Sequence, residues 1–465
     1  MIQKIRRFCT SPAFLLIPFV IAMVGLIGGE KALLPSMILN VQLIALLLFF
    51  CDDLLPAFLP AFCVITLGAT NLADLTEFIP YIPVAFSVVA GLVFHLIRYR
   101  RPLYIGKSFY GLVATSIAVL LSGIGAPFAS RDYTSMAAIY HIIGLSVGLI
   151  LLYFLFASNR REDRKYDPMH YFLWSMFFLG ILCAGVIFAE FLHWLLSNLT
   201  EILTEQRFIA NEYLKDFTYR NTITTLLVMC FPATFYLAKH AKHFFSQFGF
   251  LLLGFAFYAA LLLSAARTAW ICGTLLLLIC CGYYLYRNPL HRGKFVCLLL
   301  FVGIGAALLY YFRMPLITII NRRLSRGFIN PDEPRVKLIL RSVQDFLAHP
   351  LFGIGISSTK NSDLYAAPGC ISWYHMYFPQ LWGSMGLLGV GAYLYQLFLR
   401  AKLILYKPSS QSSALGLMYL GLFLYSQTDV GEFAPIPYAV ISVLLFVLLE
   451  DKLKKEQRNT PSTNQ

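Results

Sequence analysis

The sequence predicts an all-α polytopic membrane protein of about fourteen helices (12–14). Of its 465 residues, 58% are apolar and only 13% are charged, against about 25% charged in soluble domains. The mean hydropathy is +0.70. The apolar residues fall in continuous runs and do not alternate, which argues against an outer-membrane barrel. At ~20 residues per span, such a chain supports on the order of thirteen or fourteen spans, far more than a single-anchor enzyme.

Taken in order, the runs lie at 12–29, 33–50, 54–70, 79–97, 108–125, 136–157, 171–196, 222–238, 244–264, 268–286, 295–312, 378–398, 414–427 and 434–450. Pro56 and Pro60 interrupt the third run, and the thirteenth is short. The basic start Met1 to Arg7 resembles a signal peptide, but no small-residue cleavage site follows, so the first helix reads as retained. Most of the ten cysteines sit inside apolar runs, where they act as small hydrophobes, and no CxxC pair or disulfide framework is implied.

A net charge of +14 suggests nucleic acid in a soluble protein; here it reads as sidedness, and no nucleic acid is expected. With the amino terminus inside and spans alternating, the inner segments hold 23 Lys and Arg, among them Arg6, Arg164, Arg400 and Lys452. The outer segments hold 6, with 8 more in one long loop that votes weakly. Both termini are then cytoplasmic. The organisation becomes a transmembrane bundle over 1–312, a large outer loop over 313–377, C-terminal transmembrane helices over 378–450 and a cytoplasmic tail over 451–465.

Within the outer loop, Arg335 to Leu347 reads as an amphipathic helix. Val336, Ile339, Leu340, Val343, Phe346 and Leu347 make an apolar stripe, and Lys337, Arg341 and Gln344 a polar one. Asp332 and Glu333 suit its first turn and Pro350 ends it. Such a helix lies on the membrane surface or on the bundle. A second outer segment, 197–221, is polar.

Several residues are placed for chemistry. Arg267, in Ser264-Ala-Ala-Arg-Thr-Ala-Trp270, sits between two spans joined by almost no loop. Its guanidinium either snorkels to headgroups or meets an anion. Arg335 and Arg341 on the loop helix, with Arg220 and Arg267, compose an outward cluster for phosphate or diphosphate, whose oxygens match the guanidinium fork. His375, at the outer mouth of the next span, is either an inert belt residue or a base for a sugar hydroxyl. Glu190 and His193 share one face of the seventh span, as a functional site or a pair that holds helices together. Asp429 and Glu432 read as a solvated outer turn. The sequence has no DxD-type metal pair on the outer side and no GxxxxGK[ST], HExxH or GxSxG, so neither metal nor cofactor is expected and any donor must arrive activated.

Together these residues resemble the O-antigen ligase and polymerase superfamily. The resemblance lies in the Ser-x-x-Arg-Thr-Ala-Trp turn, then Arg335-Val-Lys-Leu-Ile-Leu-Arg followed by His349-Pro-Leu-Phe-Gly-Ile-Gly355, then His375-Met-Tyr-Phe-Pro-Gln-Leu-Trp-Gly-Ser-Met-Gly-Leu-Leu-Gly389. It covers about 264–391. Met376 stands where the family often has Asn, and Ile339 where Trp is common; Tyr219-Arg220-Asn221 corresponds to a family Asn before a span. The resemblance implies a GT-C-like glycosyltransferase of the bacterial inner membrane that takes an undecaprenyl-diphosphate-linked glycan as donor. The acceptor is lipid A core, a protein or a growing glycan. By the same resemblance His375 is the base, and Arg267 and Arg335 bind the donor diphosphate. Ligase and polymerase share these motifs, and both remain open. A lipid-linked glycan flippase or other transporter is the rival from another class, although transporters tend to show paired half-repeats and midplane polar sites. A non-catalytic scaffold is the third reading.

Overall fold

The computed structural model describes residues 2–71, 82–99, 102–128, 136–159, 164, 166–197, 220–264, 266–286, 299, 302–303, 334–356, 374–429 and 431–459. Among the described residues the regular elements are all helical. Eight helices among the described residues are long and apolar enough to cross a bilayer, or nine if the bent pair Gln3–Cys9 and Pro12–Ile27 forms one more. The chain is thus a helical membrane protein. The other expected spans meet shorter or more polar helices, and 295–312 lies outside the described residues except at 299, 302 and 303.

The chain divides into two compact units, Met1–Arg100 with Asp163–Ser325 and Arg101–Glu162 with Arg326–Gln465. The first contains α1 (Ile2–Cys9), α2 (Leu16–Ile27), α3 (Glu30–Phe50), α4 (Phe58–Asn71) and α5 (Ile82–Arg98). The prolines at 56 and 60 explain the short fourth helix: Pro56 opens a 3-10 turn over Leu55–Ala57, and α4 spans only 14 residues. After the second unit's first stretch, the other described helices of this unit are α9 (Pro168–Ser197), α10 (Arg220–His240), α11 (Phe244–Leu263) and α12 (Arg267–Leu285). Helix α10 is its axis, with Ile223, Leu226, Val228, Phe231 and Phe235 all fully buried against α9, α11 and α12.

One end of the first unit is tied by charge. Asp53 is buried and accepts Arg164 Nε at 2.7 Å, the Tyr166 hydroxyl at 2.5 Å and the Leu55 amide at 3.1 Å. Nearby, Arg6 donates to the Phe50 carbonyl at 3.0 Å and to Tyr99 at 2.9 Å, and faces Asp52 at 3.5 Å. A buried carboxylate of this kind is tolerated because every lone pair finds a donor.

The second unit holds α6 (Lys107–Leu121), α7 (Met136–Ile143) and α8 (Leu149–Ser158), then α13 (Pro334–Ala348), α14 (Tyr377–Leu405), α15 (Ser410–Ser426) and α16 (Val440–Asn459). A π turn over Gly144–Gly148 joins α7 to α8 and makes them one long apolar helix. The core is layered from Leu112, Val119, Leu145, Leu149, Leu381 and Val443. An aromatic knot caps it, in which Phe433 lies 5.3 Å from the rings of both Tyr377 and Tyr393. Helix α16 runs nine residues beyond the expected span end at 450, and the Glu450 carboxylate accepts the Tyr153 hydroxyl at 2.9 Å and the Ser108 amide at 2.5 Å in the first turn of α6. A carboxylate there satisfies an orphan helix amide and suits the dipole.

Candidate functional site

His375 stands directly before α14 with φ +53°, in the left-handed region that costs a side-chain-bearing residue about 1–3 kcal/mol. Its neighbours are what hold it there. Tyr374 and Tyr377 are both fully buried. The Tyr374 hydroxyl donates to Asp345 of α13 at 2.6 Å, and its amide donates to Gln380 Oε1 at 3.0 Å. Tyr377 is locked in the aromatic knot. With a tyrosine anchored inward on each side, the backbone turns between them and leaves the imidazole one-third exposed (34%).

The imidazole has an acid partner that sequence reasoning missed. Its Nδ1 lies 3.6 Å from Asp429 Oδ1, a carboxylate only 13% exposed. That separation is too long for a hydrogen bond, and the contact is ionic only when the imidazole is protonated. The Asp429 carboxylate stands on the Nδ1 side of the ring, away from Nε2. The turn that carries Asp429 was expected to be solvated; the structure corrects this for Glu432. Glu432 is buried and accepts Arg400 Nη1 of α14 at 2.7 Å, while the same nitrogen donates to Tyr419 of α15 at 2.8 Å. Arg400, counted above among inner-side charges, is correspondingly buried in the helical core. An intramembrane arginine must find an anion inside the bundle, and spacing along the chain hides one 32 residues away. No signal in the sequence marked the pair, since Arg400 follows the run 378–398 and Glu432 precedes the run 434–450.

Helix α13 brings the loop arginines to the same unit. Asp345 is buried on it, and Arg341 one turn earlier approaches its two carboxylate oxygens at 3.2 and 3.3 Å. Burial, reinforced by the adjacent Asp345 carboxylate, pushes the Tyr374 phenol well above its ordinary range, so it remains a donor. Arg335 is half-buried in the helix's first turn. Ser342, also on the inward side, accepts Trp382 Nε1 at 2.9 Å. On this helix Ser342 and Asp345 face the protein, whereas Leu340 and Leu347 do not.

The remaining candidates belong to the first unit. Arg267 is the first residue of α12 and half-buried. Its turn is fixed because the Ser264 hydroxyl accepts the Ala266 amide at 3.3 Å and Trp270 Nε1 donates to the Leu262 carbonyl at 2.8 Å. An anion at this helix start would meet both the guanidinium and the dipole. Asn221 is exposed at the start of α10, and the Arg220 side chain lies outside the described residues. On α9, Glu190 is half-buried and His193 is exposed, so His193 is not part of a buried pair.

No protein-family model and no curated protein matches the chain.

Proposed function

We propose that this protein is a metal-independent, inverting membrane glycosyltransferase of the O-antigen ligase type, with the fourteen-span, GT-C-like architecture expected from the sequence. It transfers a glycan from an undecaprenyl-diphosphate donor to a hydroxyl acceptor at the outer face of the bacterial inner membrane. The observation that carries the reading is the His375–Asp429 contact, a partly exposed imidazole backed by a shielded carboxylate. A base so oriented is suited to remove a hydroxyl proton at neutral pH. In the proposed step Nε2 of His375 accepts the acceptor's proton while its oxygen attacks the anomeric carbon. The bond to the diphosphate breaks with inversion, and the leaving electron pair stays on the diphosphate. Arg335, with Arg341 on the same helix, offsets that growing charge. Arg267 is assigned to the donor by the resemblance and Arg220 by the outward arginine cluster read from the sequence, and Glu190, His193 and Asn221 have a supporting role. A repeat-unit polymerase would use the same residues with a growing glycan as acceptor.

One observation favours a transporter instead: α14 is broken at Gly386 and the bundle encloses the Arg400–Glu432 pair. Four of the groups freed at that break are, however, taken by the segment Pro350–Gly355, which weighs against a substrate site there.

The test is reconstitution in liposomes with a lipid-diphosphate oligosaccharide, with products separated by size. A ladder of longer lipid-linked chains means polymerase, and product that appears only with a separate acceptor means ligase. Arg335→Lys is expected to lose most activity because the charge stays but the fork is lost. Full activity of His375→Ala would sink the proposal.

A further inference from the structure

Helix α13 is packed inside out by the standards of a water-soluble protein. Its inward side carries Leu338 together with the polar Ser342 and Asp345, all nearly inaccessible. Its outward side presents Leu340 at 58% exposure, Val343 at 40% and Leu347 at 72%. These three share one helical face by their spacing. Lys337 and Gln344, both exposed, lie together on one flank of that face. The chain then turns at Pro350, and Leu351 extends the apolar strip at 60% exposure.

The strip does not end there. The Leu388 amide donates to the Leu351 carbonyl at 3.2 Å and the Leu387 amide to the Pro350 carbonyl at 2.8 Å, which joins the strip to α14. Helix α14 is long and apolar enough to span the bilayer, and it exposes Leu387, Leu394 and Phe398 along its length. The outward face of a spanning helix meets acyl chains, and α13 continues that face.

We infer that α13 is seated in the outer interface of the bilayer, with Leu340, Val343, Leu347 and Leu351 among acyl chains and Lys337 and Gln344 on the water side. The occupant of this face is membrane lipid. A second copy of the chain would have to bury a narrow strip that already continues a lipid-facing helix, and the polar flank gives it no complementary charge. Such seating fixes the depth of Arg335 and His375 at headgroup level, but it stands whether or not the protein transfers sugar.

The test places p-benzoyl-phenylalanine singly at 340, 347, 337 and 344 in the full chain, reconstituted in phosphatidylethanolamine and phosphatidylglycerol vesicles. After irradiation, intact mass reports what each position touches. The expected result is a phospholipid adduct at 340 and 347 several-fold more abundant than at 337 and 344. All four positions are exposed, so each tolerates the larger side chain. Crosslinks from 347 to protein, within the chain or to a second copy, overturn the inference. So does equal labelling at all four positions, or absence of lipid adduct at 340 and 347.

Discussion

The Leu387 amide donates to the Pro350 carbonyl at 2.8 Å, a bond that an unbroken helix would have made within α14. Gly386 breaks the helix with φ +62° and ψ −156°. The carbonyls of Gly383 and Ser384 lose their own helical partners and accept instead from the Ile354 and Gly355 amides at 3.2 and 2.9 Å. Four orphaned groups are thus exchanged for four new bonds, as buried backbone requires. Two sequence motifs that look independent, Pro350 to Gly355 and Gly383 to Gly389, form one joint.

That joint predicts which glycines tolerate a methyl group. A Cβ at Gly386 would lie 2.6 Å from the Leu351 carbonyl carbon and oxygen, and the positive φ adds roughly 1–3 kcal/mol. Gly391, five residues on in the same helix, has nothing within 4 Å. Gly386→Ala is therefore expected to lower the melting temperature in detergent sharply. Gly391→Ala should leave it unchanged or raise it, since glycine inside a helix costs about 0.5–1 kcal/mol relative to alanine. Equal melting points for the two variants would contradict the joint.

Tyr374→Phe removes a donor from the buried Asp345 carboxylate and is expected to cost about 1–3 kcal/mol. The same phenol gives a pH signature. Its pKa in the folded protein is raised, so its stabilising contribution is complete below the unfolded tyrosine value of about 10 and is lost as pH rises through the folded value. Unfolding measured from neutral to strongly alkaline pH should show a shallower alkaline decline in Tyr374→Phe than in the unaltered protein. Identical slopes would mean that the phenol is not held protonated by this contact.

Much of this was legible in the sequence. Continuous apolar runs located the long helices, and the spacing of Arg335 to Leu347 located α13 within a residue at each end. Which side of α13 faces the protein was not legible, because in a membrane protein an apolar face need not point inward. His375 was singled out from its position at a span mouth. Asp429 and Glu432 were read as one solvated turn although they do different things, one beside His375 and one beneath Arg400. Only the three-dimensional return of that turn into the bundle separates them.

The Arg400–Glu432 pair makes a prediction by subtraction. Arg400→Leu or Glu432→Leu alone leaves one buried charge without its counter-ion and is expected to cost about 3–5 kcal/mol. The double substitution removes both charges and should recover much of that loss, since a buried ion pair often does no better than apolar side chains of similar size. Tyr419→Phe, which removes one partner but keeps the pair, should cost less than either single change. A thermal-stability cycle over these variants measures the coupling, and strictly additive losses would show that the two charges do not depend on each other.

The same turn links stability to the proposed chemistry. Glu432 is anchored by Arg400, and its amide donates to the Ser426 hydroxyl at 3.1 Å, so the arc is pinned at Glu432, three residues after Asp429. Asp429→Asn keeps the shape of that arc and removes the charge facing His375 Nδ1. In the liposome assay it is expected to lower kcat by roughly 10²-fold, the lower end of what a positioned base contributes, with KM for the lipid-linked donor little changed. Asp429→Glu should restore part of the rate, because the charge returns on a longer arm. A purely structural role would instead lower the melting temperature of Asp429→Asn and leave the turnover of the folded fraction intact. If turnover per folded molecule is unaltered, Asp429 does not orient the base, and the weight of the proposal falls back on the arginines.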